Sequence, residues 1–188
     1  LSGNIISTNP IKGTISTKIE DYREKLLGSR KDLCELAMIT DLLRNDICSL
    51  IKTDSLHVRF PILMELNEIA HIYSLVSGEI KNDITLSDII GKVYPGGSVT
   101  GVPKRMTMKI IDHLERYPRE IYTGSLGIIK SKKEIDYNIL IRSFYYRKGK
   151  YLYGAGGGIT VNSIREDEWD ELILKTGKIR MLHISDIK

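Results

Sequence analysis

Asn138-Ile139-Leu140-Ile141-Arg142-Ser143-Phe144-Tyr145-Tyr146-Arg147-Lys148-Gly149-Lys150-Tyr151-Leu152-Tyr153-Gly154 carries two strand signals on either side of a turn. Its β-branched and aromatic residues predict one strand over 138–146 and another over 151–154. Lys148-Gly149-Lys150 reads as the tight turn between them, since glycine enters positive φ without steric cost. Strands joined so closely run antiparallel. Working outward, 122–129 predicts a further strand rich in Ile, Tyr and Ser. Ile5 to Thr8 is a short β-branched run that stops at Pro10, with Gly13-Thr14 continuing the turn. Leu56 to Phe60 alternates like a strand. Leu33, Leu36, Ala37, Ile39, Thr40 and Leu43 recur at helical spacing within 20–49, and Gly28-Ser29 marks a start. Residues 65–77 suit helix or strand equally. A short helix is expected over 87–91 with Ser87 as N-cap, and a longer one over 104–116 after Pro103. The tally predicts an α+β domain with antiparallel sheet.

A chain of 188 residues is long enough for one sizeable core and at most two small domains. Hydrophobic residues make up 41% and charged residues 28%, which excludes a disordered or fibrous chain. The net charge of +4 is mild, and the basic residues are scattered apart from Lys130-Ser131-Lys132-Lys133. Nucleic-acid binding calls for a concentrated basic stripe with stacking aromatics, so it is not expected. No apolar run is long enough to span a membrane, and no signal-peptide pattern is read. Cys34 and Cys48 fall in the expected helix and suggest neither a disulfide framework nor a zinc site. A reducing, cytoplasmic setting is the expectation. The sequence opens on Leu1 rather than Met, which suits a fragment or a trimmed chain.

The residues that could carry chemistry concentrate near the end. Gly154-Ala155-Gly156-Gly157-Gly158 leads into a segment where Glu168, Glu171 and Lys175 share one helix face. Two carboxylates on one face repel, so a cation belongs beside them, and carboxylate oxygens suit Mg²⁺ completed by water and substrate oxygens. A solvated helix face has the same spacing. Lys12 sits between Pro10 and Gly13 in a restrained turn, which suits a nucleophile in the right surroundings and an ordinary surface lysine otherwise. Glu35 lies among Leu33, Leu36, Ala37 and Met38, where a carboxylate is costly to bury unless paired or bound to metal; a rim position on the helix is the plain alternative.

Gly96-Gly97-Ser98-Val99-Thr100-Gly101, ahead of a helix, resembles an anion-binding turn. It lacks the Gly-Lys-Ser/Thr ending of a phosphate loop, so a carboxylate is the better guess, with a plain glycine connection as the alternative. Arg142, in an expected strand of apolar neighbours, calls for a carboxylate partner, either a ligand or a structural acid. Tyr122 and His71 are single polar residues beside apolar ones, and by default each is a hydrogen-bonded core group.

Five ordered stretches together resemble one family, the chorismate-utilising enzymes. They are Pro10-Ile11-Lys12-Gly13-Thr14; the run from Glu35 ending Asp41-Leu42-Leu43-Arg44-Asn45-Asp46; the run from Pro95 to Lys104; Ile141-Arg142-Ser143; and the run from Gly154 through Lys175. The resemblance spans nearly the whole chain. Its closest branch is aminodeoxychorismate synthase component I. Anthranilate synthases typically carry Ala in place of Lys12, Ala-Gly-Thr-Leu-Ser-Gly in place of residues 96–101, and Gly-Ala-Gly in place of residues 156–158.

The resemblance implies a two-layer sandwich of mostly antiparallel sheets with flanking helices, residues 1–188 being the C-terminal portion of a chorismate-binding catalytic domain. It implies that Glu35, Glu168 and Glu171 hold Mg²⁺, which takes the ring carboxylate of chorismate. Arg142 and Tyr122 are implied to bind the enolpyruvyl carboxylate with backbone from Gly156 and Gly157, and Lys175 to lie near the ring carboxylate. His71 is implied near the hydroxyl-bearing face of the ring, with Gly13, Thr14, Ser98 and Thr100 lining the pocket. Lys12 is implied to attack ring C2 as the C4 hydroxyl leaves. Ammonia from a glutamine amidotransferase subunit then gives 4-amino-4-deoxychorismate. Anthranilate synthase component I is the alternative activity. A truncated, non-catalytic chorismate-binding domain is the alternative of another class, because the family's upstream Ser-Pro-Glu segment has no match here. Val102 and the Ile-Tyr-Ser after His71 depart from the commoner Ala and Leu-Val-Ser, and the segment between Thr14 and Glu35 is shorter than the family's usual one.

Overall fold

The computed structural model describes residues 1–161 and 163–180. Its first sheet is built on β4 (Ile69–Glu79), which has both edges occupied. Along one edge runs β3 (His57–Leu66), paired antiparallel from His57↔Ser77 to Leu66↔Ile69. Along the other, β1 (Ile5–Thr8) and β2 (Ile11–Ser16) pair one after the other, β1 with residues 76–79 and β2 with residues 69–73. Between them the Pro10 carbonyl accepts from the Ser74 amide at 3.1 Å, so the proline interrupts the strand without leaving β4 unpaired. β3 and β4 are joined by Asn67-Glu68, with Asn67 at φ 52, a conformation asparagine tolerates.

β4 settles the segment that the sequence left open. Ala70, Ile72, Ser74 and Val76 point inward and are fully buried. Alternation is hard to read there because Ala and Ser stand among the inward residues while Ile69, Tyr73 and Leu75 face outward. The expected helix is two. α1 (Tyr22–Leu27) ends as the Gly28 amide bonds the Glu24 carbonyl at 2.7 Å, and Ser29 caps α2 (Arg30–Cys48) by accepting from the Asp32 amide. α2 lies on the sheet. Leu36 joins Leu26, Ala70 and Ile72 in one buried cluster, and Ile47 joins Ile6, Leu50, Ile51 and Val76 in another. Between them Thr40 donates to the Leu36 carbonyl at 2.6 Å and lies 2.7 Å from the Ser74 hydroxyl, so the buried polar atoms are satisfied.

α3 (Leu86–Val93) is capped by Thr85 and not by the expected Ser87, because Thr85 stands three residues before Asp88 and the two close a capping box. A single turn, α4 (Gly97–Thr100), precedes α5 (Lys104–Leu114). The strand expected over 122–129 begins later, as β5 (Ser125–Ser131), and pairs with β6 (Glu134–Ile139). A bridge between Ser2 and Glu134 ties this hairpin to the chain's start. The strand expected over 138–146 is split: β6 stops at Ile139, residues 140–143 turn, and β7 (Phe144–Arg147) starts afresh. β7 pairs with β8 (Lys150–Tyr153) through Lys148 and Gly149, both at positive φ, as the tight turn required. α6 (Arg165–Arg180) closes the described chain. Strand pairing is antiparallel throughout, so the α+β expectation holds. No helix among the described residues is long and apolar enough to cross a membrane.

Leu36 is 0% exposed and Met38, two residues on, is 57% exposed. Leu36→Ala should cost about 2–5 kcal/mol through lost burial and a residual cavity. Met38→Ala should stay within about 0.5 kcal/mol of the parent. Urea denaturation followed by circular dichroism compares the two.

Candidate active site

Gly13 is the hinge of the first half of the site. Pairing of β2 with β4 slips between Lys12 and Thr14, a bulge in which Gly13 takes φ 60. A Cβ there would sit 2.9 Å from Leu26 Cδ1 and 3.1 Å from Asp32 Cγ, so only glycine fits both the angle and the space. The sequence placed Gly13-Thr14 in a turn, whereas they lie inside β2. Bulges re-aim side chains, and this one sends Lys12 and Thr14 to different partners. Lys12 Nζ donates to Glu35 Oε2 of α2 at 3.1 Å, with the two side chains 35% and 30% exposed. The Thr14 hydroxyl lies 3.0 Å from His71 Nδ1, and the Gly13 carbonyl 3.1 Å from the same nitrogen. A carbonyl can only accept, so a proton on Nδ1 serves Gly13 and leaves Nε2 as an acceptor.

The second half is built on α6 and the glycine loop before it. Lys175 Nζ donates to Glu171 Oε1 at 2.7 Å and to the Gly156 carbonyl at 3.2 Å, fastening the loop to the helix. The Lys175 hydrogen bond holds the Glu171 carboxyl below the usual carboxylate range, and the charges of Lys31 and Lys12 reach it too. Glu168 Oε1 accepts from Ser163 Oγ at 2.7 Å, and its other oxygen lies close enough to Gly157 that a Cβ there would meet it at 3.1 Å. A cleft of about 790 Å³ runs along Gly157, Ser163, Glu168 and Trp169.

Tyr122 is the floor under the glycine loop. A Cβ at Gly154 would lie 2.3 Å from Tyr122 Cγ, and one at Gly156 would lie 2.8 Å from its hydroxyl. Burial raises the Tyr122 pKa above the ordinary tyrosine value, with Arg119 opposing the shift. Ser98 is exposed on α4, and Thr100 donates to the Gly96 carbonyl at 3.1 Å. Gly97 packs directly on Leu42 of α2.

Arg142 is not in a strand as expected. It lies in the 140–143 turn at φ 52, and its exposed guanidinium has no hydrogen-bond or ion-pair partner among the described residues. The structural carboxylate considered for it is therefore not among them.

The structure thus joins Lys12 to Glu35, Gly13 and Thr14 to His71, and Lys175 to Glu171 and Gly156. It also sets Tyr122 against Gly156 and Glu168 against Gly157. Glu35, Glu168 and Glu171 supply hard oxygen donors of the kind Mg²⁺ prefers, each now holding a lysine or a hydroxyl. Among the described residues, no three acidic, His or Cys side chains are gathered as one ligand set. Several ion pairs escaped the sequence reading, two of them beside the glycine turn. Lys104 Nζ meets Asp46 Oδ2 at 2.8 Å with both groups largely buried, and Arg119 meets Glu115 at 2.7 Å. The i,i+4 spacing of Glu115 and Arg119 was the available signal for the second; the 58 residues between Asp46 and Lys104 hid the first.

Residues 1–181 match the family described as chorismate binding enzyme, and the chain belongs to it. It is 39% identical to the aminodeoxychorismate synthase, chloroplastic, of Arabidopsis thaliana over 92% of this chain and 19% of that protein. It is also 39% identical to anthranilate synthase component 1 of Aquifex aeolicus over 90% of this chain and 36% of that protein. A crystal structure of anthranilate synthase component I from Streptococcus pneumoniae superposes with a TM-score of 0.78 at 30% identity, covering 93% of this chain and 40% of that one. The chain thus spans well under half the length of these relatives.

Because Tyr122 is held neutral, folding favours its protonated form. That contribution is complete below the ordinary tyrosine pKa and is lost as pH rises through the higher folded value. Alkaline titration of tyrosine absorbance should show a step above about pH 10 that disappears in Tyr122→Phe.

Proposed function

We propose that this chain carries the chorismate site of an aminodeoxychorismate synthase component I, with Lys12 as the covalent nucleophile. The observation that carries this reading is the bulge at Gly13, which sets Lys12 against Glu35 and Thr14 against His71. The Lys12 amine adds at ring C2, both ring double bonds shift one position toward C4, and the C4 hydroxyl leaves as water with the proton that the lysine nitrogen gives up. Ammonia then bonds at C4, the shift reverses, and the Lys12 nitrogen leaves C2. Covalent capture divides one hard substitution into two easier ones. Lys12 must part from Glu35 before its lone pair can attack. The unpartnered Arg142 and the neutral Tyr122 hydroxyl suit the enolpyruvyl carboxylate as an ion-pair partner and a hydrogen-bond donor. His71 pairs with Thr14 in the register of β2 and β4, where Nε2 can relay a proton to the leaving hydroxyl.

Glu35, Glu168 and Glu171 are the residues that would hold Mg²⁺, whose bound charge offsets the ring carboxylate. Lys175 is placed to meet the same carboxylate. Residues 1–188 then form the C-terminal portion of the catalytic domain, in a cytoplasmic enzyme that draws ammonia from a glutamine amidotransferase subunit.

Anthranilate synthesis is the second reading, favoured by the equal identity to the Aquifex aeolicus relative. It would use the same pocket but place ammonia at C2 and expel pyruvate, with no need for Lys12. Intact-mass spectrometry with chorismate and Mg²⁺, without ammonia, separates the two. The expected outcome is a chorismate-derived adduct on the parent chain and none on Lys12→Ala. Chorismate binding without an adduct would move the assignment to anthranilate chemistry, and to a non-catalytic binding domain if neither product forms on adding ammonia.

A further inference from the structure

We propose that Arg119 is a positioning residue that clasps the glycine turn at 96–101 to the turn carrying Tyr122, and so sets the width of the pocket between them. The side chain is about one-quarter exposed and all three guanidinium nitrogens are engaged. Nε and Nη2 grip the two oxygens of Glu115, at 2.8 and 2.7 Å, in the bidentate geometry that fixes the plane of an arginine. Nη1, aimed by that grip, donates to the Val99 carbonyl at 2.8 Å, between the pocket positions Ser98 and Thr100. The Arg119 carbonyl accepts from the Tyr122 amide at 3.0 Å, closing the turn that presents the tyrosine. One residue therefore holds the glycine turn through its side chain and the tyrosine turn through its backbone.

Among the described residues the other contact between these pieces is apolar: Gly96 packs on the Ile139 side chain at the end of β6, where a Cβ would lie 2.6 Å from Ile139 Cδ1. Gly97 rests on Leu42 and Lys104 on Asp46, which fix the ends of the glycine turn to α2 and leave its middle to Arg119. The tyrosine turn is tied instead to the end of β6, through the Thr123 amide on the Leu140 carbonyl and the Leu140 amide on the Gly124 carbonyl, both 2.9 Å. Lysine cannot replace the clasp, because a single ammonium cannot grip Glu115 with two donors and reach Val99 with a third in the same plane.

The kinetic part of the test rests on the chorismate reading; the structural part does not. Hydrogen exchange should be followed at the Val99 and Gly101 amides, which bond the Gly96 and Gly97 carbonyls, in the parent, Arg119→Gln, Arg119→Lys, Glu115→Gln and the control Arg116→Gln. Exchange at these two amides is expected to rise about tenfold or more in both Arg119 variants, the usual consequence of losing a hydrogen bond to a charged group. Glu115→Gln should rise less, and β4 amides and Arg116→Gln should match the parent. With chorismate turnover, the Arg119 variants should raise KM by about tenfold or more while kcat falls less. Unchanged exchange at Val99 and Gly101, or an equal rise across β4, would overturn the clasp. A parent that neither binds nor turns over chorismate sinks the functional reading instead, and the exchange data still decide the clasp. Should Arg119→Gln fail to fold, Glu115→Gln makes the same decision.

Discussion

Everything else hangs from β4. Both its edges are paired, and its inward face, Ala70, Ile72, Ser74 and Val76, is fully buried under α2. A strand with no free edge cannot slip, because a shift by one residue would turn that buried set outward. Its register therefore fixes β2 and the bulge at Gly13, and with them the directions of Lys12, Thr14 and His71. The Thr40–Ser74 hydroxyl pair adds specificity at the centre of this contact. A helix displaced by one residue would leave the Ser74 hydroxyl buried without its Thr40 partner, at a penalty larger than the bond itself contributes.

Charge is arranged around the site in the same deliberate way. Each of the three carboxylates proposed for metal already has a donor: Lys12 for Glu35, Lys175 for Glu171 and Ser163 for Glu168. The ion pairs are partly exposed, so each contributes little to stability. Their larger effect is local: each of these carboxylates has a donor set against it. Arg142 is the exception in sign, a cation with no acid set against it among the described residues.

The sequence was most informative where local chemistry decides local shape. Lys148 and Gly149 made the turn their residue types demand, and Ser29 capped α2 as expected. It failed where partners lie far apart in the chain. The 65–77 segment could not be assigned because its inward side carries Ala and Ser as well as Ile and Val, so burial by α2 rather than periodicity makes it a strand. Gly13 looked like a turn residue because glycine beside proline usually is one; only the pairing with β4 shows it to be a bulge. The same limit applies to the site. Glu168, Glu171 and Lys175 could be placed on one face by counting, whereas the contact of Lys12 with Glu35 spans 23 residues and two elements, and no spacing rule reaches it.

The backbone at Arg142 deserves a last consideration. Its left-handed φ of 52 disfavours any residue with a Cβ, by about 1–2 kcal/mol. Glycine would sit there at ease, and asparagine nearly so. The conformation also stops β6 and swings the side chain away from the ladder into solvent, where it finds no partner. The polypeptide thus accepts a strained joint in order to hold a free positive charge clear of its own acids. At this one residue, comfort of the main chain and exposure of a free charge pull in opposite directions.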